Sequence, residues 1–118
     1  METSSQHFCE ISREKIYFLR TKKIIPLHEI IMIQGDINYS LIYLKGGRKT
    51  LVPRTLKLFE SLLENYNFLR THRGFIINCD HLLRIDRLHE EAFLTNNLQA
   101  SISRRRRAEV SKRLQLIA

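Results

Sequence analysis

The chain is poor in the residues that most often carry chemistry. It has two cysteines, Cys9 and Cys79, and four glycines. The cysteine spacing fits no metal or thiol-redox pattern. The glycines form no phosphate-cradling loop. The histidines at 7, 28, 72, 81 and 89 are scattered, with no H-x-x-x-H or H-E-x-x-H pair among them. Cys79 and His81 stand two apart, but a metal needs further ligands that the sequence does not supply. An extended strand carrying Cys79 would orient it by core packing. No catalytic, cofactor-binding or metal site is therefore expected, and no enzymatic activity. No apolar run approaches the length needed to span a bilayer. The opening Met-Glu-Thr-Ser-Ser-Gln lacks the basic and then apolar layout of a signal peptide. The default expectation is a cytoplasmic protein without a disulfide and without stable membrane association. The clustered aromatic surface of a single-strand binder is missing as well.

Acidic residues are also in deficit. Lys plus Arg number 20 and Asp plus Glu 12, a formal charge of +8. That surplus favours an anionic partner and says little about fold. It is concentrated: residues 101–118 hold six basic side chains and one acidic one, which is +5 of the total. A chain of 118 residues fits one domain.

The chain divides into short strand-like runs. Residues 1–10 open loosely and tighten toward a strand near Phe8 to Ile11. Lys15 to Leu19 reads as a strand followed by a polar turn at Arg20 to Lys23. Ile24, Ile25 and Pro26 read as an edge strand or a strand end, since proline has no N–H to donate. Ile30 to Ile33 is β-branched and too short for a helix, which predicts a central strand. Gln34 to Asn38 is a break, where Gly and Asn tolerate positive φ and Asp or Asn closes a turn. Tyr39 to Leu44 and Lys49 to Val52 flank Lys45-Gly46-Gly47-Arg48 as an antiparallel hairpin. Thr55 is placed to cap a helix with its hydroxyl. Leu56, Phe59, Leu63 and Tyr66 share one face of that helix, which is predicted to end near Asn65 and to pack on the sheet. Leu82 to Ile85, Glu91 to Thr95 and Leu98 to Ile102 read as strands, the last two joined at Asn96-Asn97.

Two basic elements stand out. The first is Phe68-Leu-Arg-Thr-His-Arg-Gly-Phe-Ile-Ile-Asn78, in which Arg70, His72 and Arg73 give way to a buried apolar run. That arrangement predicts a cationic loop held rigidly by the core. Arg70 anchors this loop against Glu60 or Asp80, or meets the backbone. His72 is either a donor to a partner or an interior group that fixes the loop. The second element is Ser103 to Arg107. With Ser103 as cap, Arg104, Arg105 and Arg106 occupy a first helical turn, where cations oppose the helix dipole. A bound polyanion reverses that penalty, because phosphates satisfy both the N–H groups and the guanidinium groups. Further along, Val110, Leu114 and Ile117 share a face with Arg107, and Lys112 and Arg113 face solvent or a phosphate. Tyr39 and Tyr43 read as core or rim residues.

In order along the chain, four segments resemble the LytTR-type DNA-binding domain, the output module of many bacterial response regulators. They are Ile30-Ile-Met-Ile-Gln-Gly-Asp-Ile-Asn-Tyr39, Arg54-Thr-Leu-Lys-Leu-Phe-Glu-Ser-Leu-Leu63, Phe68 to Asn78, and Ile102-Ser-Arg-Arg105. The third is similar to the family's Phe-x-Arg-x-His-Arg-Ser signature followed by an apolar run and Asn. The fourth is similar to its Val-Ser-Arg-Arg. The resemblance covers residues 15–118, with 1–14 as an N-terminal tail or leading strand. It implies a mainly β, elongated antiparallel domain with short flanking helices. It implies sequence-specific contact with double-stranded DNA through loops and the start of the last helix. Those places hold Asn38, His72, Arg73 and Arg104 or Arg105. The candidate DNA-binding set around them is Asn38, Arg70, His72, Arg73, Asn78, Arg104, Arg105 and Arg106. The resemblance further implies a transcriptional regulator of two-component type, paired direct sites and a homodimer on DNA. Where the family often has Ser or Asn, this chain has Gly74. Residues before 15 are too few for a receiver domain, so the expectation is an excised output domain or a stand-alone regulator. The competing reading is an RNA-binding or peripheral anionic-membrane-binding basic module, since the last helix has a basic flank.

Overall fold

Short β-branched and aromatic runs, cut by polar turns, fold among the described residues into three antiparallel sheets with two short helices. The computed structural model describes residues 8–117, with side chains described as far as Leu114. The first sheet has the order β1 (Cys9–Ser12), β2 (Lys15–Phe18), β3 (Ile24–Pro26). The central sheet is built from β4 (Ile30–Gly35), β5 (Ser40–Leu44), β6 (Lys49–Val52), β7 (Phe68–His72) and β8 (Phe75–Asn78). Its order is β6-β5-β4-β8-β7, so β4 is central as its composition predicts. The third sheet comprises β9 (Leu82–Ile85), β10 (Glu91–Leu94) and β11 (Leu98–Ser101), with β10 in the middle. Helix α1 spans Leu56–Leu62 and α2 spans Arg107–Ile117. The principal extents are 42 × 34 × 27 Å.

The central sheet is apolar on both faces because a separate core lies on each. One core gathers residues of the first sheet with Ile30, Ile33, Ile42, Leu56, Phe59, Leu63, Phe68 and Ile76. The other gathers Ile31, Met32, Leu69, Ile77, Ala92, Leu94, Ala100, Ile102 and Val110. Alternate residues of β7 and β8 supply the two cores, as a period of two requires. Strand β4 departs from that period. Ile30 pairs with Leu44 and Met32 with Tyr43, so Ile31 is an extra, bulged residue. The bulge sends Ile31 and Met32 to the same core.

Several local expectations are corrected. Gly35 does not adopt positive φ. It is needed because a Cβ there would lie 3.0 Å from the Cβ of Leu56, where β4 passes α1. The turn that follows is closed by Asp36, whose N–H bonds the Tyr39 carbonyl at 2.8 Å and whose carboxylate accepts the Ile37 N–H at 2.8 Å. Thr55 occupies the N-cap position, but its hydroxyl takes no part; the Thr55 carbonyl accepts the Leu58 N–H instead, at 3.2 Å. Helix α1 stops at Leu62, short of Asn65, because Leu63 (φ −102, ψ 7) leaves helical geometry. Leu56, Phe59 and Leu63 are nonetheless buried on one face, with Tyr66 packed beside them. Asn96 and Asn97 both adopt left-handed backbone in the β10–β11 turn. Cys79 stands in a 3-10 turn, Cys79–His81, rather than in an extended strand. In α2, Val110 is buried and Leu114 packs against the second core. The side chain of Ile117 and residues 1–7 lie outside the described residues.

Candidate nucleic-acid interface

The cationic loop is the two-residue turn between β7 and β8, and its placement depends on a second bulge. Arg70 pairs with Ile76 and His72 with Phe75, so Thr71 is the extra residue. A bulge re-aims the side chains beyond it and takes its own backbone out of the regular ladder. Thr71 is fully buried. Its hydroxyl donates to the Ser101 carbonyl at 2.8 Å, and its carbonyl accepts the Ser103 N–H at 2.8 Å. The edge of the central sheet is thereby stitched to the end of β11, where the second basic element begins. Arg73 lies two residues beyond this stitch and Arg104 one residue beyond it. Three residues and one hydrogen bond hold their backbones within about 15 Å of each other.

Arg70 stands beneath the turn. Its Nη1 meets Glu60 Oε1 at 2.5 Å, its Nε donates to the His72 carbonyl at 2.9 Å, and its Nη2 to the Arg73 carbonyl at 2.6 Å. Of the anchors open in the sequence, Glu60 and the backbone are the ones used. Asp80 instead accepts from Asn67. The side chain of Arg70 is 14% exposed, so its charge is spent on shaping the turn. His72 accepts the Gly74 N–H on Nδ1 at 2.9 Å and packs edge-on against Phe75. With Nδ1 accepting, the neutral ring carries its proton on Nε2, which is left as a donor. His72 thus fixes the loop and retains a donor. The Gly74 carbonyl accepts the Gly35 N–H at 2.9 Å, which ties the turn to the end of β4. A cleft of 640 Å³ opens between residues 34–37, the start of α1 and the His72–Phe75 turn. Asn38 is exposed on the adjoining loop, next to Ile37, which is 84% exposed.

The second element differs from the expected helical turn. Arg104–Arg106 form a 3-10 turn, and α2 proper starts at Arg107. Ser103 supplies its carbonyl to the Arg106 N–H at 3.0 Å, but its hydroxyl makes no capping bond. Arg104 and Arg105 are exposed, whereas Arg106 and Arg107 are half-buried. Arg106 Nη1 approaches the Arg70 carbonyl at 3.4 Å and Glu60 Oε2 at 3.8 Å. Arg107 reaches Glu90 at 3.4 Å. Arg113, expected to face solvent or a phosphate, donates to Asn67 at 3.2 Å. Among the described residues, no hydrogen bond or ion pair holds the guanidinium of Arg73, Arg104 or Arg105.

Asn78 requires a correction. It is 2% exposed. Its amide donates to the carbonyls of Ile30 at 2.8 Å and Leu27 at 3.3 Å, and its carbonyl oxygen accepts the Asp80 N–H at 3.0 Å. A side chain so enclosed cannot reach a partner while the fold is intact. Its polarity is plain from the residue type, but the direction it points is not. Thr71 and Glu60 are the site residues that sequence reasoning undervalued. Thr71 carried a signal in being the one small hydroxyl within a cationic run, and Glu60 in its polar place on α1.

Among the described residues, no three His, Cys, Asp or Glu side chains lie together as a metal-holding group. His81 Nε2 donates to the His28 carbonyl at 2.8 Å, and its Nδ1 lies 3.1 Å from the Thr95 hydroxyl. No helix of the described residues is long and apolar enough to cross a membrane.

Comparison with known proteins finds no match among curated sequences. A solved LytTr DNA-binding domain from Bacillus cereus shares this fold with a TM-score of 0.68 at 17% identity, over 90% of this chain and 94% of that one. The model of the LytTr DNA-binding domain family matches residues 15–115. Mainly β architecture, loop-borne cations and this match over most of the chain agree, and the chain belongs to the LytTr family of DNA-binding domains.

Proposed function

We propose that this protein is a sequence-specific transcriptional regulator that reads double-stranded DNA through three neighbouring pieces. These are the loop carrying Asn38, the His72–Gly74 turn and the Arg104–Arg105 turn. The observation that carries this reading is the Thr71 stitch, which holds two exposed cationic turns within reach of one duplex segment. A major groove is about 12 Å wide, so two arginines with backbones no more than about 15 Å apart can meet one groove or a groove and its flanking phosphates. Arg73 and Arg104 present rigid forks of donors that match guanine O6 and N7, or a phosphate. Asn38 offers an amide for adenine, and His72 offers its Nε2–H. Arg105 meets the backbone. Arg70 and Arg106 act from beneath, by holding the turns. Paired direct sites would seat two copies along the duplex.

Selection of bound sequences from a random duplex library tests the reading. A recovered consensus supports it, and recovery of no preferred sequence refutes it. Competition among duplex DNA, RNA and anionic vesicles separates it from a general basic module, which would bind all three alike. Affinity should fall with salt, because phosphate contacts release counterions. Replacing Arg73 should relax preference at one position if it reads a base, and lower affinity uniformly if it touches phosphate alone.

A further inference from the structure

We infer that Glu60 is a positioning residue for DNA reading: its carboxylate braces the His72–Gly74 turn against the Arg104–Arg105 turn. The inference rests on the duplex reading above. Glu60 lies on α1, outside both basic elements, yet it touches the foundation of each. Its Oε1 holds Arg70 Nη1 at 2.5 Å, and its Oε2 lies 3.8 Å from Arg106 Nη1. Arg70 passes the constraint upward, because the same guanidinium donates to the carbonyls of His72 and Arg73. Arg106 passes it sideways, because it belongs to the 3-10 turn that carries Arg104 and Arg105.

Two features make the brace specific to Glu60. The cleft beneath these groups, 140 Å³ in volume, is also lined by Glu64 and Glu109. Without Glu60, the Arg70 guanidinium has other carboxylates to turn toward, and turning leaves the two carbonyls of the recognition turn without their donor. Glu60 is 41% exposed and Arg70 is 14% exposed, so losing Glu60 also costs stability at Arg70, and discrimination is read at a temperature where the variant is fully folded. What Glu60 supplies to the turns is geometry.

The brace and plain electrostatics predict opposite signs. Removing one negative charge beside a cluster of arginines should strengthen attraction to any polyanion. Removing the brace should weaken discrimination between sequences. In Glu60→Ala, affinity for random duplex should hold or rise. Preference for the wild-type consensus over random duplex should fall about tenfold, the scale of one lost base contact. Alanine is the best helix former, so α1 is not penalised. Glu60→Gln keeps an acceptor for Arg70 but turns a donor toward Arg106, and its loss should be intermediate. A second readout needs no DNA. The Arg70 Nε–H proton should exchange slowly with solvent in the parent chain and rapidly in Glu60→Ala, as followed by side-chain NMR. Unchanged discrimination in Glu60→Ala, or an Arg70 Nε–H that stays protected, overturns the brace. A parent chain that selects no consensus refutes the duplex reading instead, and leaves the proton-exchange result to judge Glu60.

Discussion

Replacing Asn78 separates a residue that builds the fold from one that meets DNA. In Asn78→Ala the carbonyls of Ile30 and Leu27 lose a donor, and the Asp80 N–H loses its acceptor. The Leu27 carbonyl still receives the Ile30 N–H, so the long 3.3 Å contact to it matters least. The other two contacts, at 2.8 and 3.0 Å, are well formed. Each lost bond costs about 1 kcal/mol net, and a buried group left without a partner costs up to about 3. The expected loss is therefore ~2–4 kcal/mol. For a domain of this size that lowers Tm by roughly 8–16 °C. Urea or thermal unfolding followed by circular dichroism measures it. DNA affinity, taken at a temperature where the variant is fully folded, should match the parent within about twofold, the ±0.5 kcal/mol scale of a change remote from the contact. A variant of unchanged stability that has lost its DNA affinity would refute the assignment and return Asn78 to the contact surface.

Four further outcomes are expected. Arg104→Gln with Arg105→Gln should leave Tm unchanged or slightly raised, since both are exposed cations at a helical start; DNA affinity should fall and the salt slope shrink by about 1–2. Gly35→Ala should destabilise the chain, because the new Cβ meets Leu56 at 3.0 Å, whereas Gly74→Ser should fold as the parent does, its Cβ meeting His72 Nδ1 at 3.4 Å and the Gly35 carbonyl oxygen at 3.9 Å, both ordinary contacts; paired melting curves decide both. Burial pushes the Cys9 thiol up to about 11, against a weaker opposing pull from Arg54, and burial also raises Cys79 against Arg113. Both thiols should therefore ignore a disulfide reagent near pH 8 until denaturant is added, whereas rapid labelling of native protein would contradict their enclosure. Hydrogen bonds from the Glu91 and Glu90 N–H groups hold the Asp86 carboxyl below its usual range; its contribution is present above the unfolded value and is lost as pH falls through the lower folded value. Asp86→Asn should flatten that part of the acid-unfolding curve.

Most of the architecture was legible because each strand advertises itself locally. Ile30 to Ile33, Tyr39 to Leu44 and Phe75 to Ile77 are β-branched or aromatic runs bounded by turn residues, and they became β4, β5 and β8. The helical face of Leu56, Phe59 and Leu63 was equally plain. Bulges were not legible, since nothing in the composition at Ile31 or Thr71 marks an extra residue. Capping failed at Thr55 and Ser103 for a related reason: a hydroxyl at the right position still competes with the backbone, which made the bonds here. At the site, Arg73 stood out by its place in a cationic run before a buried one, and Arg104 to Arg106 by opposing the helix dipole. The inward ones, Arg70 and Arg106, looked identical in sequence, because charge type does not encode which way a side chain points.

The added residue at Thr71 has one more consequence. Along a pleated strand, parity decides which side each position serves. One insertion flips parity for everything downstream, and one deletion flips it back. Trimming a single residue between Phe68 and His72 would therefore turn the imidazole toward the opposite layer and dissolve the seam to Ser101 and Ser103 in the same stroke. Substitutions at the exposed tips leave this register intact, whereas any change of length at this point acts as an on–off setting.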